Sequence, residues 1–401
     1  MIGVAEAEAL ILKDCLLLPI TAVPLELALG RVLREPVLAD RDLPPFDRVT
    51  MDGIALAFDD WQAGRTKFEV IGQQRAGQLP LSPGISGQAI EIMTGAVCPP
   101  GLDTVVRRED LLFSEEKGKK WVEIQAKVLS KGQNIHEAGY DGRAGMVLLE
   151  EGQLLRAPEI GVLASAGYAK VRVSGVPRVA LISTGDELVE VHQMPLPHQI
   201  RRSNVFALAA ALSSVAACEV SLLHLPDEPQ AMRDHLRPVL AGHDVLILSG
   251  GVSAGEADYV PRVLSDLGVQ PVFHKVRQRP GKPFWFGRKE DKAVFGLPGN
   301  PVSTLLGFYR YVQAFLGQRL GLHPVAPAYA RLSEDFTFAP QLTYFLPVWA
   351  SSSPEGIYEA RPFPGHGSGD YANLRWGNGF LELPEEQSYF PAGTVYRFWP
   401  F

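Results

Sequence analysis

Short, continuously apolar runs alternate with longer helical patterns between residues 178 and 320. Arg178-Val179-Ala180-Leu181-Ile182, Asp244-Val245-Leu246-Ile247-Leu248 and Ala293-Val294-Phe295 have the uninterrupted hydrophobicity of strands covered on both faces. Between them the pattern predicts three helices: Ser203 to Ala217 behind a Ser203 cap, Pro229 to Leu240, and a segment with Asn300 as cap, Pro301 as first helical residue and Gly321 just past an end near Leu320. Strand, helix, strand in repetition requires right-handed crossovers, hence a mostly parallel sheet in a three-layer α/β/α domain.

Outside this stretch the period changes. Val4 to Leu18 has a helical Ala/Leu/Ile pattern, and extended chain follows around Gly30 to Ala39. Residues 44 to 138 alternate in short pieces such as Lys67-Phe68-Glu69-Val70-Ile71 and Trp121-Val122-Glu123-Ile124, which predicts a small β-domain. Gly139 to Ser174 reads as turn, strand and short helix, and Tyr329 to Phe401 alternates between Pro and Gly turns as a β-barrel or sandwich does. The expected organisation is therefore α/β plus β in four parts: an elongated connector from 1–43 and 139–174, a β-rich domain at 44–138, an α/β domain at 175–325 and a C-terminal β-domain at 326–401.

Composition narrows the partners. With 401 residues, 46% of them hydrophobic, the chain has ample core for several domains. A net charge of −7 argues against broad binding to nucleic acid or an anionic membrane, so any anion site must be a local patch. Cys15, Cys98 and Cys218 form no CxxC pair, and neither a cleavable leader nor a bilayer-length apolar run is evident; a cytoplasmic protein with free thiols is expected.

Each apolar run of the α/β stretch ends in a loop with chemistry. The loops are Ser183-Thr184-Gly185-Asp186-Glu187-Leu188, Ser249-Gly250-Gly251-Val252-Ser253-Ala254-Gly255-Glu256-Ala257-Asp258-Tyr259 and Gly296-Leu297-Pro298-Gly299-Asn300-Pro301. Ligands of open α/β sheets bind where strands end, so the three predict one shared crevice. Asp186, Glu187, Asp227, Glu228, Glu256 and Asp258 offer oxygen ligands in ones and twos, as a magnesium ion that keeps its waters prefers. Against them stands the basic run Lys275, Arg277, Arg279 and Lys282, stiffened by prolines and suited to an oxyanion. Gly250, Gly251 and Gly255 open backbone amides to an anion. Together these features point to magnesium and a phosphorylated ligand, although each alone also has a bland reading as turn, cap or solvated face.

With Met51-Asp52-Gly53, Met93-Thr94-Gly95-Ala96, Arg279-Pro280-Gly281-Lys282-Pro283 and Gly299-Asn300-Pro301-Val302-Ser303 added, the chain resembles the molybdopterin molybdenumtransferases, the MoeA and gephyrin E-domain family, from Leu25 to about Asn373. The resemblance implies an enzyme of molybdenum cofactor biosynthesis that takes adenylated molybdopterin and molybdate and, with Mg2+, inserts the metal and releases AMP. It implies a homodimer whose cleft lies between the α/β domain of one subunit and the β-domain of the other, so that Asp52 and Thr94 complete a site built mainly by the second subunit. Asp186, Glu187 and Asp258 would surround the magnesium, with Asp227 beside them, while Arg279 and Lys282 would hold molybdate or the terminal phosphate. Ser183, Thr184, Gly185, Gly250, Gly251, Ser253 and Gly255 would cradle the pterin or nucleotide phosphate. Pro298, Asn300 and Pro301 would shape the pocket, and Asp141 and Ser368 would reach the cleft.

Some positions depart from the family pattern. Arg48-Val49-Thr50-Met51-Asp52-Gly53-Ile54-Ala55 keeps the acid but lacks the flanking polar and aromatic groups; His136 replaces an expected Arg, Tyr140 stands where an acid is common before Asp141, and Arg279 replaces a usual Lys. Two other readings compete with the insertion enzyme. One is a molybdopterin adenylyltransferase, which shares the α/β domain but not the β-domains. The other is a non-catalytic molybdopterin-binding scaffold, for which retention of Asp186, Glu187, Asp258 and Lys282 would be unnecessary. An adenylating partner and molybdoenzyme maturation proteins are possible further partners.

Overall fold

A computed structural model of the chain describes residues 1–252 and 259–401. The chain forms two compact units, one made of Met1–Glu35, Glu151–Ile160 and Lys170–Phe401, the other of Pro36–Glu150 and Gly161–Ala169.

The first unit is built on a six-stranded sheet in the order Glu219–Leu225, Arg178–Thr184, Val245–Ser249, Lys292–Leu297, Trp285–Lys289, Gln270–His274. The first four strands pair in parallel, and Trp285–Lys289 pairs antiparallel with both of its neighbours, Lys292–Leu297 and Gln270–His274. Alternation within the strands supplies both faces. Leu181 and Ile247 pack with helices Asn204–Ser213 and Gln313–Leu320, whereas Ile182 and Leu248 pack with Pro229–Gly242 and Val260–Asp266. Each such side chain contributes roughly 1.5–3 kcal/mol on leaving water, so a one-residue slip is penalised on both faces. Register pairs Ser183 with Ser249 and Ser249 with Leu297, which brings three strand ends side by side. The expected three-layer α/β/α arrangement is thus present.

Element ends differ from expectation for local reasons. The first helix stops at Leu12 rather than Leu18, where Asp14 takes φ 51 and Pro19 follows. The helix expected from Ser203 to Ala217 spans only Asn204–Ser213, and the Ser203 side chain makes no capping bond. Its end lies where Ser213 and Ser214 hydroxyls donate to the carbonyls of Ala210 and Ala211, offering the backbone an alternative to further helix. The helix expected behind Asn300 begins at Pro301 and closes at Gly321 with φ 73, but it contains a π-turn at Phe308–Val312. The antiparallel pair Gln270–His274 and Trp285–Lys289 is not apparent in the sequence, because Pro271 and Gly287 interrupt its pattern.

A five-stranded barrel closes the carboxyl-terminal region: Thr343–Ser352 pairs with Tyr358–Pro362, then Ala328–Leu332, Val395–Pro400 and Gly379–Leu383, which returns to Thr343–Ser352. Leu332, Leu346, Leu381 and Phe398 fill it. Gln278–Arg279, between the two antiparallel strands of the α/β sheet, adds to the barrel in parallel with Thr343–Tyr344. Near the amino terminus, Ile20–Pro24 pairs antiparallel with Lys170–Ser174.

The second unit holds a mixed six-stranded sheet in the order Thr104–Arg107, Gly53–Leu56, Gln88–Ile92, Lys67–Gln74, Lys119–Ile124, Leu111–Glu116. Gly53 is required there, since a Cβ would lie 1.8 Å from the Val106 carbonyl oxygen. Among the described residues no helix is long and apolar enough to cross a membrane.

Candidate active site

The three aligned strand ends open into a cleft of about 1210 Å³ in the first unit. Ser183, Thr184, Gly185, Gly250, Gly251, Pro298, Asn300 and Pro301, all singled out in the sequence, line it. The glycines keep it open. Gly250 has φ 104, and a Cβ there would sit 2.9 Å from both the carbonyl and the hydroxyl oxygen of Thr184. A Cβ on Gly251 would meet Val260 at 2.7 Å and the same hydroxyl at 2.9 Å. Thr184 Oγ1 is buried and has no hydrogen-bond partner among the described residues, an exception to the rule that buried polar groups are paired.

A polar hub ties the loops together. Asn204, the first residue of its helix, donates from Nδ2 to Ser249 Oγ at 2.8 Å and to the Gly299 carbonyl at 2.7 Å. Thr304 Oγ1 donates to the Pro298 carbonyl at 2.6 Å. Asn300 occupies the expected capping position but caps nothing: its Nδ2 donates to Ser368 Oγ at 2.7 Å, bringing the Gly365–Asp370 loop to the cleft wall.

The acids separate by role. Glu187 and Asp227 line the cleft, and Asp186 Oδ1 accepts the Asp227 backbone N–H at 3.2 Å. Glu228, its neighbour, instead caps helix Pro229–Gly242 by accepting from the amides of Gln230 and Ala231. Among the described residues no three His, Cys, Asp or Glu side chains gather as a metal cluster. Ser253, Gly255, Glu256 and Asp258 lie outside the described residues. Two or three carboxylates with room for water are nevertheless the donor set that magnesium accepts.

The basic run also divides. Arg277 turns away to Glu385, at 3.2 Å, and to the Met1 carbonyl. Arg279 and Lys282 line the cleft, on opposite sides of Pro280-Gly281. Arg201 and Arg202 line it too, although the sequence pattern did not single them out; Arg202 is nearly buried and pairs with Glu190 at 2.6 Å.

In the second unit, Thr94 donates to Asp52 Oδ1 from both its backbone N–H and its hydroxyl, each at 2.7 Å. These two bonds, with the Arg108 charge adding to them against partial desolvation, hold the exposed Asp52 carboxyl below the usual carboxylate range. Asp141 lies 3.2 Å from His136 Nε2, and His136 Nδ1 faces Arg48 at 3.3 Å, so the substituted histidine belongs to a small polar cluster.

Three family models match the chain in succession: the MoeA N-terminal region (domain I and II) over residues 2–167, a probable molybdopterin binding domain over 180–318, and the MoeA C-terminal region (domain IV) over 329–401. A molybdopterin molybdenumtransferase of Synechocystis sp. is 40% identical over 401 residues, with 100% of each chain covered. The chain belongs to the MoeA family. It is thereby a transferase of molybdenum cofactor biosynthesis. A MoeA relative from Staphylococcus epidermidis is 33% identical, with 98% of this chain and 94% of the relative covered. The solved MoeA protein of Pyrococcus horikoshii superposes with a TM-score of 0.81 at 28% identity, covering 100% of both chains.

Within this MoeA fold Asn204 joins Arg201 and Arg202 among the cleft residues that the sequence pattern did not single out. Its signal was present: the polar stretch Arg201-Arg202-Ser203-Asn204 precedes an apolar helix, and Ser203 was the more obvious cap. Asn204 instead uses its amide to hold two strand-end loops at one spacing.

Proposed function

We propose that the chain inserts molybdenum from molybdate into adenylated molybdopterin, with release of AMP and a requirement for Mg2+. The supporting observation is that one cleft is lined by Arg279, Lys282, Glu187, Asp227 and the open Gly250-Gly251 loop. Arg279 and Lys282 hold molybdate or the terminal phosphate, because fixed cations offset the charge that gathers as an oxyanion meets a pyrophosphate linkage. Ser183, Thr184, Gly185, Gly250 and Gly251 admit a phosphate or pterin edge to close contact, with Ser253 and Gly255 continuing that loop. Pro298, Asn300, Pro301 and Ser368 form the wall.

Asp186, Glu187 and Asp258 are the residues to hold magnesium, with Asp227 adjacent. When bound there, the ion supplies polarisation of the phosphoanhydride. Asp52, kept ionised by Thr94, and Asp141 act from a second copy of the chain in a cytoplasmic homodimer. An adenylating enzyme supplies the substrate, and molybdoenzyme maturation proteins accept the product.

The test is AMP release from adenylated molybdopterin as a function of molybdate and Mg2+. Wild-type protein should release AMP only when molybdate is present, and Lys282→Ala and Asp227→Asn should each lower the rate at least about 100-fold, the scale of losing one preorganised electrostatic contact. Substrate binding without molybdate-dependent AMP release in the wild type would instead favour the scaffold reading.

A further inference from the structure

Arg279 and Lys282 sit on a turn that has little backbone support of its own. Val276 and Phe284 each donate an N–H to the Lys282 carbonyl at 3.0 Å, but no backbone N–H of the described residues reaches the carbonyls of Pro280 or Gly281. Both carbonyls are taken by one side chain: Gln278 Nε2 donates to Pro280 O at 3.2 Å and to Gly281 O at 3.3 Å. Gln278 is 1% exposed, and its remaining polar atom, Oε1, accepts from the hydroxyl of Tyr311. Tyr311 is likewise 1% exposed, stands in the π-turn Phe308–Val312 and packs on Phe284 with ring centroids 4.9 Å apart. Gly281 completes the fit: it has φ 82, and a Cβ on it would press within 2.9 Å of Gln278 Nε2.

We infer that Gln278 and Tyr311 are positioning residues for the oxyanion contact, a buried clamp that sets the separation and direction of Arg279 and Lys282. A buried amide can satisfy all its partners in only one orientation. Tyr311 selects that orientation by donating to Oε1, which turns Nε2 toward the turn. Without the hydroxyl, Oε1 loses its donor in a dry site, and the amide is free to rotate away from the two carbonyls. The two cations then lose a fixed spacing, which is the property that preorganised charge stabilisation depends on. The inference rests on the proposed role of Arg279 and Lys282 and adds its cause.

The test compares wild type, Tyr311→Phe, Gln278→Met and Lys282→Ala in two arms, the KM for molybdate and the Kd for adenylated molybdopterin, with kcat and Tm recorded. Lys282→Ala identifies the arm that reports the oxyanion. In that same arm Tyr311→Phe and Gln278→Met should each weaken binding about tenfold, the size of one lost hydrogen bond, while the other arm stays within about twofold. If Lys282→Ala shifts an arm and neither clamp variant does, the clamp is refuted while the role of the cations stands. Equal weakening of both arms with a lowered Tm also refutes it, since that marks a general loss of packing. No shift in either arm for Lys282→Ala refutes the underlying reading instead.

Discussion

Thr94 shows how one small side chain sets the state of another. Asp52 is exposed, and its carboxyl is lowered first by the Thr94 backbone N–H and next by the Thr94 hydroxyl. Thr94→Val removes only the second bond, so the Asp52 carboxyl should move up toward the ordinary carboxylate range without reaching it, as read from its carbon chemical shift during an acid titration. The sign for stability follows from the lowered value: the contribution is present above the ordinary carboxylate range and is lost as pH falls through the folded-state value. In Thr94→Val the contribution should be smaller and its loss should be complete at a higher pH. At this scale the sequence was a good guide to residue type and a poorer one to partner. Asn300 and Glu228 illustrate the limit: Asn300 is the preferred type of helix cap, yet it is Glu228 that caps its helix, because Asn300 meets Ser368 from far along the chain.

Helices and strands were legible where their pattern was strong. Arg178–Thr184 and Val245–Ser249 are apolar on both faces and were evident, whereas Gln270–His274 is edge chain with three of its five residues turned to solvent and a proline inside it. Local hydrophobicity cannot report a strand whose main partner is another backbone. The helix Pro229–Gly242 is amphipathic and starts on Glu228, whose carboxylate accepts two first-turn amides. Glu228→Ala should cost about 1 kcal/mol in urea unfolding, typical of a lost N-cap. Because the Glu228 carboxylate is engaged with its own helix, molybdate-dependent AMP release should hold in that variant, in contrast to Asp227→Asn.

Within the first unit, three regions converge on Arg310. Its guanidinium lies 2.9 Å from Glu8 of the first helix and 3.4 Å from Glu382 of the barrel, and it stacks over Trp399 at 4.4 Å. Burial works against that charge, but hydrogen bonding to Glu8 and the field of Glu382 outweigh it and raise the guanidinium pKa. Arg310→Met would leave two largely buried carboxylates without their cation, and about 3 kcal/mol of stability should disappear in denaturant melts. Such long-range meetings were not readable from the chain, since residues 8, 310 and 382 share no local pattern. The family resemblance located the cleft's motifs, while the closed barrel was legible only as alternation between turns.

The short pairing of Gln278–Arg279 with Thr343–Tyr344 makes the carboxyl-terminal barrel a structural neighbour of the turn that carries Arg279 and Lys282. A chimera that exchanges this barrel for that of a distant relative therefore alters more than a surface module. Unless it carries over the edge that receives Gln278–Arg279, the graft would be soluble, folded and catalytically mute, its defect lying in a seam that an inspection of the cleft lining alone would overlook.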